Sequence, residues 1–224
     1  HCLSSEAGGY TPSDFPDSGL RQEGLDAVLQ ELTGGRGRTT NGIDAMYPLS
    51  PMQEGLLFHS LYAPESGLYL EQLSGELIGP LDTLAFERAW QRALDRHPVL
   101  RTAFAWKRTE IPLQVVHRHV ALPLLRHDWR SLSSPEQQER LRAYLQVDQQ
   151  QRFEPSRAPL MRMSLIHLDE STHFFVWSFH HILMDGWSYM ALLKEVFVLY
   201  EAFHGGEELA LSQRRPYREY IAWL

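Results

Sequence analysis

The 224 residues are 43% hydrophobic and 11% aromatic, enough apolar side chain for a sizeable core in one large or two small domains, which excludes a chain disordered throughout. A formal net charge of -7, from 28 acidic and 21 basic residues, argues against a nucleic-acid partner, whose phosphates need a basic surface. The single cysteine, Cys2, rules out an internal disulfide and favours a reducing, cytoplasmic compartment; no apolar run of about 18 residues is available for a membrane span, and the amino end lacks the basic-then-apolar pattern of a secretion signal.

His1 in place of Met reads as the cut end of a longer polypeptide. Residues 1 to 16, rich in Ser, Gly, Pro and Asp, read as a linker without regular structure. Leu25, Val28, Leu29 and Leu32 predict a short amphipathic helix over Leu20 to Leu32, stopped by Gly34-Gly35; the polar run to Gly42 is expected to be mobile. Residues 1 to 43 are thus expected to be an inter-domain linker with one short helix, and the folded domain to occupy 44 to 224. Ser50-Pro51 predicts a helix start, with Met52, Leu56, Leu57 and Leu61 on the core face. Tyr69 to Leu77 alternates as a half-buried strand, and Asp82 caps a helix over Leu84 to Arg96 that turns Leu84, Phe86, Ala89, Trp90 and Leu94 inward. Strands follow at Leu100 to Trp106, Leu113 to His119 and Leu122 to His127; a long helix opens at Ser134-Pro135-Glu136 and runs to about Phe153. Leu160 to Leu168 and His173 to Phe179 predict a hairpin, Trp187 to His204 a closing helix that ends at Gly205-Gly206, and Pro216 to Leu224 a last apolar stretch. Strands adjacent in sequence and mixed with helices indicate an α+β fold, with helices packed on one mixed β-sheet.

The chemistry concentrates between Thr172 and Trp187. A strand ends in His180 and His181, and Asp185-Gly186 turns the chain into a helix. His180-His181-x-x-x-Asp185-Gly186 fixes four residues, a pattern whose chance frequency in a chain of this length is on the order of a few in a thousand. Imidazole suits proton transfer near neutral pH. Alternation along the strand sends the two rings to opposite faces, so His180 is expected to be hydrogen-bonded in the core and His181 to be the reactive one. Adjacent histidines pointing apart, without a second His or Cys cluster at ligand spacing, argue against a metal. Asp185 is compatible with orienting the imidazole, capping the next helix or pairing with a buried arginine; a structural role is preferred. Gly186 is expected to let the backbone turn close to the site.

Arg96-His97-Pro98-Val99-Leu100-Arg101-Thr102-Ala103-Phe104 reads as a helix end running into a strand, with Arg96 at the negative end of the helix dipole. A strand-borne, buried Arg101 needs an anion, and Asp185 is the expected partner. Phe174, Phe175, Trp177, Phe197 and Tyr200, together with Met52, are expected in the core.

Together these stretches resemble the condensation domain of non-ribosomal peptide synthetases, in the chloramphenicol acetyltransferase-like superfamily. His180 to Ser188 is similar to the family's active-site motif, Tyr47 to His59 to its first motif, Arg96 to Phe104 to its second, and Pro216 to Trp223 to the start of its fourth. The resemblance covers residues 44 to 224, about half of a two-lobed domain. It implies an acyltransferase of secondary-metabolite biosynthesis in which an acceptor amine attacks a donor thioester. Both substrates arrive on the 4'-phosphopantetheine of donor and acceptor carrier domains, and no cofactor or metal is bound directly. By position His181 is implied at the reaction centre, as proton acceptor or as the group that positions the amine, and both roles stay open. The carboxy-terminal lobe is absent, so the fragment alone is expected to be inactive.

Gly8 to Pro16 looks like the segment that follows an epimerization domain, and Tyr47 to Gly55 resembles domains that take a donor with a D-configured end. An epimerization domain of the same superfamily shares the two histidines but fits the first motif less well; a heterocyclization domain carries Asp where His180 and His181 stand. A non-catalytic docking fragment for a carrier or adjoining domain is the alternative from another class.

Overall fold

Local capping chemistry sets where the helices begin. The computed structural model describes residues 9–33, 42–63, 67, 69–212 and 215–224. Helix α1 is Gln22–Thr33, α2 Pro51–Tyr62, α3 Thr83–Arg96, α4 Ser134–Gln150, α5 Gly186–His204 and α6 Tyr217–Trp223. Ser50 accepts the N–H of Gln53 ahead of Pro51 at the start of α2; Asp82 takes the N–H groups of Leu84 and Ala85, both at 3.0 Å, to start α3. At α4 the capping residue is Ser133, one position before the expected start, and the Glu136 carboxylate reaches back to its N–H at 2.8 Å.

The strands are β1 Ile43–Pro48, β2 Leu70–Ile78, β3 Thr102–Ala105, β4 Leu113–His117, β5 Leu124–Asp128, β6 Met161–Asp169 and β7 Thr172–His180. They form two sheets among the described residues, where one was expected: an antiparallel sheet ordered β1-β4-β3, and a mixed sheet ordered β2-β7-β6-β5. Only the β5–β6 pair of the mixed sheet is parallel, and α4 is the crossover between the two strands.

Helices cover both faces of the mixed sheet. On one face α3 and α5 lay down an aromatic core: Trp90 meets Trp177 with ring centroids 4.9 Å apart, and Phe86 meets Phe175 at 5.3 Å. On the other face α4 is held by polar groups. Asp148, 7% exposed, accepts from Gln72 Nε2 at 2.7 Å, from Arg162 Nε and from the Ser178 hydroxyl. A buried carboxylate is tolerated there because each of these donors is aimed at it.

The small sheet is covered as well. Ile43, Met46, Ala105, Leu113 and Val115 pack with Phe15 and with Leu25 and Val28 of α1. The stretch from Thr11 to Ser18 makes two short 3-10 turns; the Tyr10 hydroxyl accepts the N–H of Ile43 at 2.6 Å, and Glu31 accepts that of Lys107 at 3.1 Å. Part of the sequence expected to lack regular structure is therefore seated on the sheet. The expected helix stop at Gly34-Gly35 and the polar residues to Asn41 lie outside the described residues, as does Cys2.

Four expected core residues face out, among them Leu61 of α2, 39% exposed. Met52 is 75% exposed, Leu84 66% and Phe197 45%. Leu84 lies about 200° around α3 from Phe86, on the far side of the stripe made by Phe86, Ala89, Trp90 and Ala93. In α2, apolar residues occur on all sides, and Gln53 and Leu57 take the buried positions. In α5 the inward positions go to Leu192, Glu195, Val196 and Leu199, which leaves Phe197 on the outer side.

Candidate active site

The end of β7 makes a tight turn, closed by a hydrogen bond from Leu183 N–H to the His180 carbonyl at 3.0 Å. His180 is 7% exposed, as expected for the inward-facing member of the pair. Its Nδ1 accepts the N–H of Ile182 at 3.1 Å, which leaves the proton on Nε2. That nitrogen donates to Ser60 Oγ at 3.0 Å, and the serine hydroxyl passes its own hydrogen to the Leu56 carbonyl at 2.7 Å. Burial, and then the adjacent His181, push the His180 pKa down to about 4, so this ring is neutral at pH 7. It is a framework piece whose tautomer is set by its partners.

His181 has a different setting. Its side chain is 36% exposed, and its backbone N–H is tied to the Tyr69 carbonyl at 2.8 Å, just ahead of β2. The Glu71 carboxylate lies 3.8 Å from Nδ1, close enough to interact with a protonated ring but beyond hydrogen-bond length. The ring lines an open groove of about 950 Å³ formed by the amino ends of α2 and α5 and by α6. Met52, Trp187 and Tyr217 contribute apolar wall, and Glu195 a carboxylate. Trp187 is 88% exposed at the rim. A smaller cavity of about 240 Å³ on the other side of the turn touches Ser60, Tyr69, Phe153 and His180.

The expected ion pair between Arg101 and Asp185 is not formed. Arg101 precedes β3, in a 3-10 turn, and donates to the carbonyls of Leu94 at 3.2 Å, Arg118 at 3.1 Å and His117; its nearest carboxylate is Asp44, at 4.0 Å. Three carbonyls satisfy a guanidinium without a buried anion. Asp185 instead caps α5 by accepting the Ser188 N–H at 2.8 Å, and hydrogen bonds from Ser188 hold its carboxyl below the usual range. Of the roles open to it, capping is the one observed. Gly186 begins α5 without left-handed backbone, and a Cβ there would meet Tyr189 Cε1 at an ordinary 3.9 Å. The described residues thus give this glycine none of the expected requirement of shape.

The site also holds groups to which the sequence reading gave no role, Gln53 among them although it lies within the first motif stretch. Glu195, 7% exposed, sits between Arg96 Nε and His97 Nε2, both 2.9 Å from its Oε1, so Arg96 serves a buried carboxylate as well as the end of α3. Gln53 and Gln114 form a reciprocal amide pair directly behind the turn. The signal for Gln114 was a polar residue between Leu113 and Val115, and for Glu195 a carboxylate in helical phase with Leu192, Val196 and Leu199. Among the described residues, no group of three or more His, Cys, Asp or Glu is placed to hold a metal ion.

This arrangement, a strand ending in one sequestered and one groove-lining histidine, is found on a chain whose residues 43–224 match the Condensation domain family, and the chain belongs to that family. Over its full length it is 45% identical to a linear gramicidin synthase polypeptide of Brevibacillus parabrevis and 32% identical to bacitracin synthase 3 of Bacillus licheniformis, of which it spans 4% and 3%. Among solved structures it resembles the starter condensation domain of rhizomide synthetase RzmA with a TM-score of 0.71 at 21% identity, over 80% of this chain and 44% of that one. The first condensation domain of the calcium-dependent antibiotic synthetase gives a TM-score of 0.71 at 18% identity, over 81% and 45%. These two likenesses bear out the expected α+β, chloramphenicol acetyltransferase-like fold. The chain spans less than half of either solved condensation domain and a few per cent of the two synthases.

Proposed function

We propose that residues 44–224 are the amino-terminal lobe of a condensation domain that forms peptide bonds in non-ribosomal peptide synthesis, and that residues 1–43 join it to an upstream domain. The acceptor amine, held on one carrier domain's phosphopantetheine, attacks the carbonyl carbon of the thioester on the other. The C–N bond forms, the C–S bond breaks and the thiol leaves with a proton. His181 takes the amine's proton, or stays neutral and holds the amine in line while a second base takes it. The partners are the two carrier domains, the missing carboxy-terminal lobe and an upstream epimerization domain; the compartment is the bacterial cytoplasm. No helix among the described residues is long and apolar enough to cross a membrane.

The observation that carries this reading is the division between the two histidines. His180 is buried, neutral and fully hydrogen-bonded, whereas His181 reaches a groove of about 950 Å³ with room for a substrate arm. Replacing His181 by Ala in the intact synthetase should lower condensation roughly 10²- to 10⁴-fold while carrier binding is unchanged. Full turnover in that variant overturns the assignment and favours a docking fragment.

Two finer proposals accompany it. The donor ends in a D-residue, and equal rates with an L-terminated donor in the intact domain would refute that. The 224-residue chain alone is inactive, because a groove open on one side cannot hold both arms; turnover equal to that of the intact domain would refute this.

A further inference from the structure

His181 can act on an amine only if its ring is held still. The turn that carries it has few bonds of its own. The His181 N–H is tied to Tyr69, and Ile182 N–H is tied to His180 Nδ1. The carbonyl of Ile182, next along the chain, is within reach of Gln53 Nε2 at 3.4 Å. Gln53 does not hold that position unaided. Its Nε2 donates to Gln114 Oε1 and its Oε1 accepts from Gln114 Nε2, both at 3.0 Å, so the two amides form a reciprocal pair. Gln114 Nε2 also donates to the Pro48 carbonyl at 3.1 Å, and Gln53 Oε1 also accepts the Ser50 N–H at 3.0 Å. These two backbone contacts fix which end of each amide is oxygen and which is nitrogen.

Gln114 is 0% exposed and Gln53 5%. Gln114 stands in β4, the central strand of the small sheet, where an apolar residue would fill the same volume without needing hydrogen bonds. We infer that Gln114 is a positioning residue for His181: through Gln53 it ties the turn after β7 to the rigid end of β1 and to the first turn of α2. The inference rests on the catalytic reading of His181 given above. Because Gln114 lies outside all four motif stretches, its place is visible only in three dimensions.

The test uses the intact synthetase with both carriers loaded, and compares Gln114→Met with the double variant Gln53→Met/Gln114→Met. Methionine keeps the volume and removes the amide. The single variant leaves half of a buried pair unsatisfied and is expected to melt lower; the double variant removes that mismatch but still takes a partner from the Pro48 and Ile182 carbonyls and the Ser50 N–H, and is expected to melt between the single variant and the parent. Condensation kcat should fall roughly 10- to 100-fold in both, at a temperature where each is folded, because neither holds Ile182 in register. The KM for the loaded carriers should hardly move. The rate at which diethyl pyrocarbonate labels the His181 ring, followed by peptide mass spectrometry, should change severalfold in both variants.

A double variant that regains parental kcat overturns the inference, since the pair would then matter only for stability. If Gln114→Met does not fold, the double variant carries the comparison alone. A parallel His181→Ala synthetase separates the two readings. If it retains full turnover, the catalytic role of His181 is lost, and the positioning claim is then decided by labelling alone: an altered rate supports it and a parental rate refutes it.

Discussion

Acid should unfold this chain partly through His180. In the folded chain burial holds that imidazole neutral down to about pH 4, while an unfolded histidine takes up its proton near 6.5. Between these values the unfolded state binds the proton and the folded state does not, so stability rises with pH across the window and is lost as pH falls through it. At 1.36 kcal/mol per pH unit the full interval is worth about 3 kcal/mol, of which about 2 kcal/mol is gone by pH 5. His180→Asn removes the titration and keeps an acceptor near the Ile182 N–H, at the cost of the bond to Ser60, about 1 kcal/mol at pH 7. Urea unfolding of parent and variant, followed by tryptophan fluorescence from pH 4.5 to 7.5, should show the variant weaker at neutral pH, the gap closing near pH 6, and the variant about 1 kcal/mol the more stable by pH 5. His117 and His173, whose pKa values burial also lowers, titrate in both proteins and cancel in the difference. If the variant loses stability with acid as steeply as the parent, His180 is not the buried neutral group described here.

Three further outcomes follow from the packing. Arg101→Met and Asp185→Ala should destabilise independently, with a coupling energy within about 0.5 kcal/mol of zero in a double-mutant cycle, because Arg101 is spent on carbonyls and Asp185 on a helix cap; coupling above about 1 kcal/mol would restore the ion pair. Asp148→Ala strands Arg162, Ser178 and Gln72 between α4 and the mixed sheet and should cost about 3–5 kcal/mol in thermal or urea unfolding; a loss under about 1 kcal/mol would mean that the network contributes nothing. Removing residues 1–33 uncovers Ile43, Met46, Leu113 and Val115, so the truncated chain should lose cooperative unfolding or aggregate, whereas an unchanged melting curve would make the amino-terminal segment dispensable.

What was legible in the sequence was local. Ser50-Pro51 and Asp82 announce helix starts because a cap and its helix lie within three residues of each other, and the run His173 to Phe179 announces a buried strand by composition alone. The opposite fates of His180 and His181 were legible for the same reason, since alternation along a strand is a property of neighbours. Partnerships across long stretches of chain were not. Strand β1 went unread because Ile43–Pro48 becomes a strand only by pairing with β4, far along the chain, and without it the second sheet is invisible. The Arg101–Asp185 pair failed on the same ground: charge complementarity names a partner of the right sign, but an arginine is satisfied equally by carbonyl oxygens, and those of Leu94, His117 and Arg118 are supplied by folding rather than by any residue type.

The two glutamines extend this contrast to the site itself. Gln53 and Gln114 are 61 residues apart, and each alone looks like an ordinary polar residue. What gives them a role is the convergence of α2, β4 and the turn after β7 on one buried point, with the Pro48 and Ser50 backbone fixing their orientation. The histidine motif therefore names the ring that reaches the groove, while the stiffness with which that ring is presented comes from a sheet that the motif does not include. If the double methionine variant condenses as well as the parent, that separation between the reacting group and its support is wrong, and the strand end alone suffices to hold His181 in place.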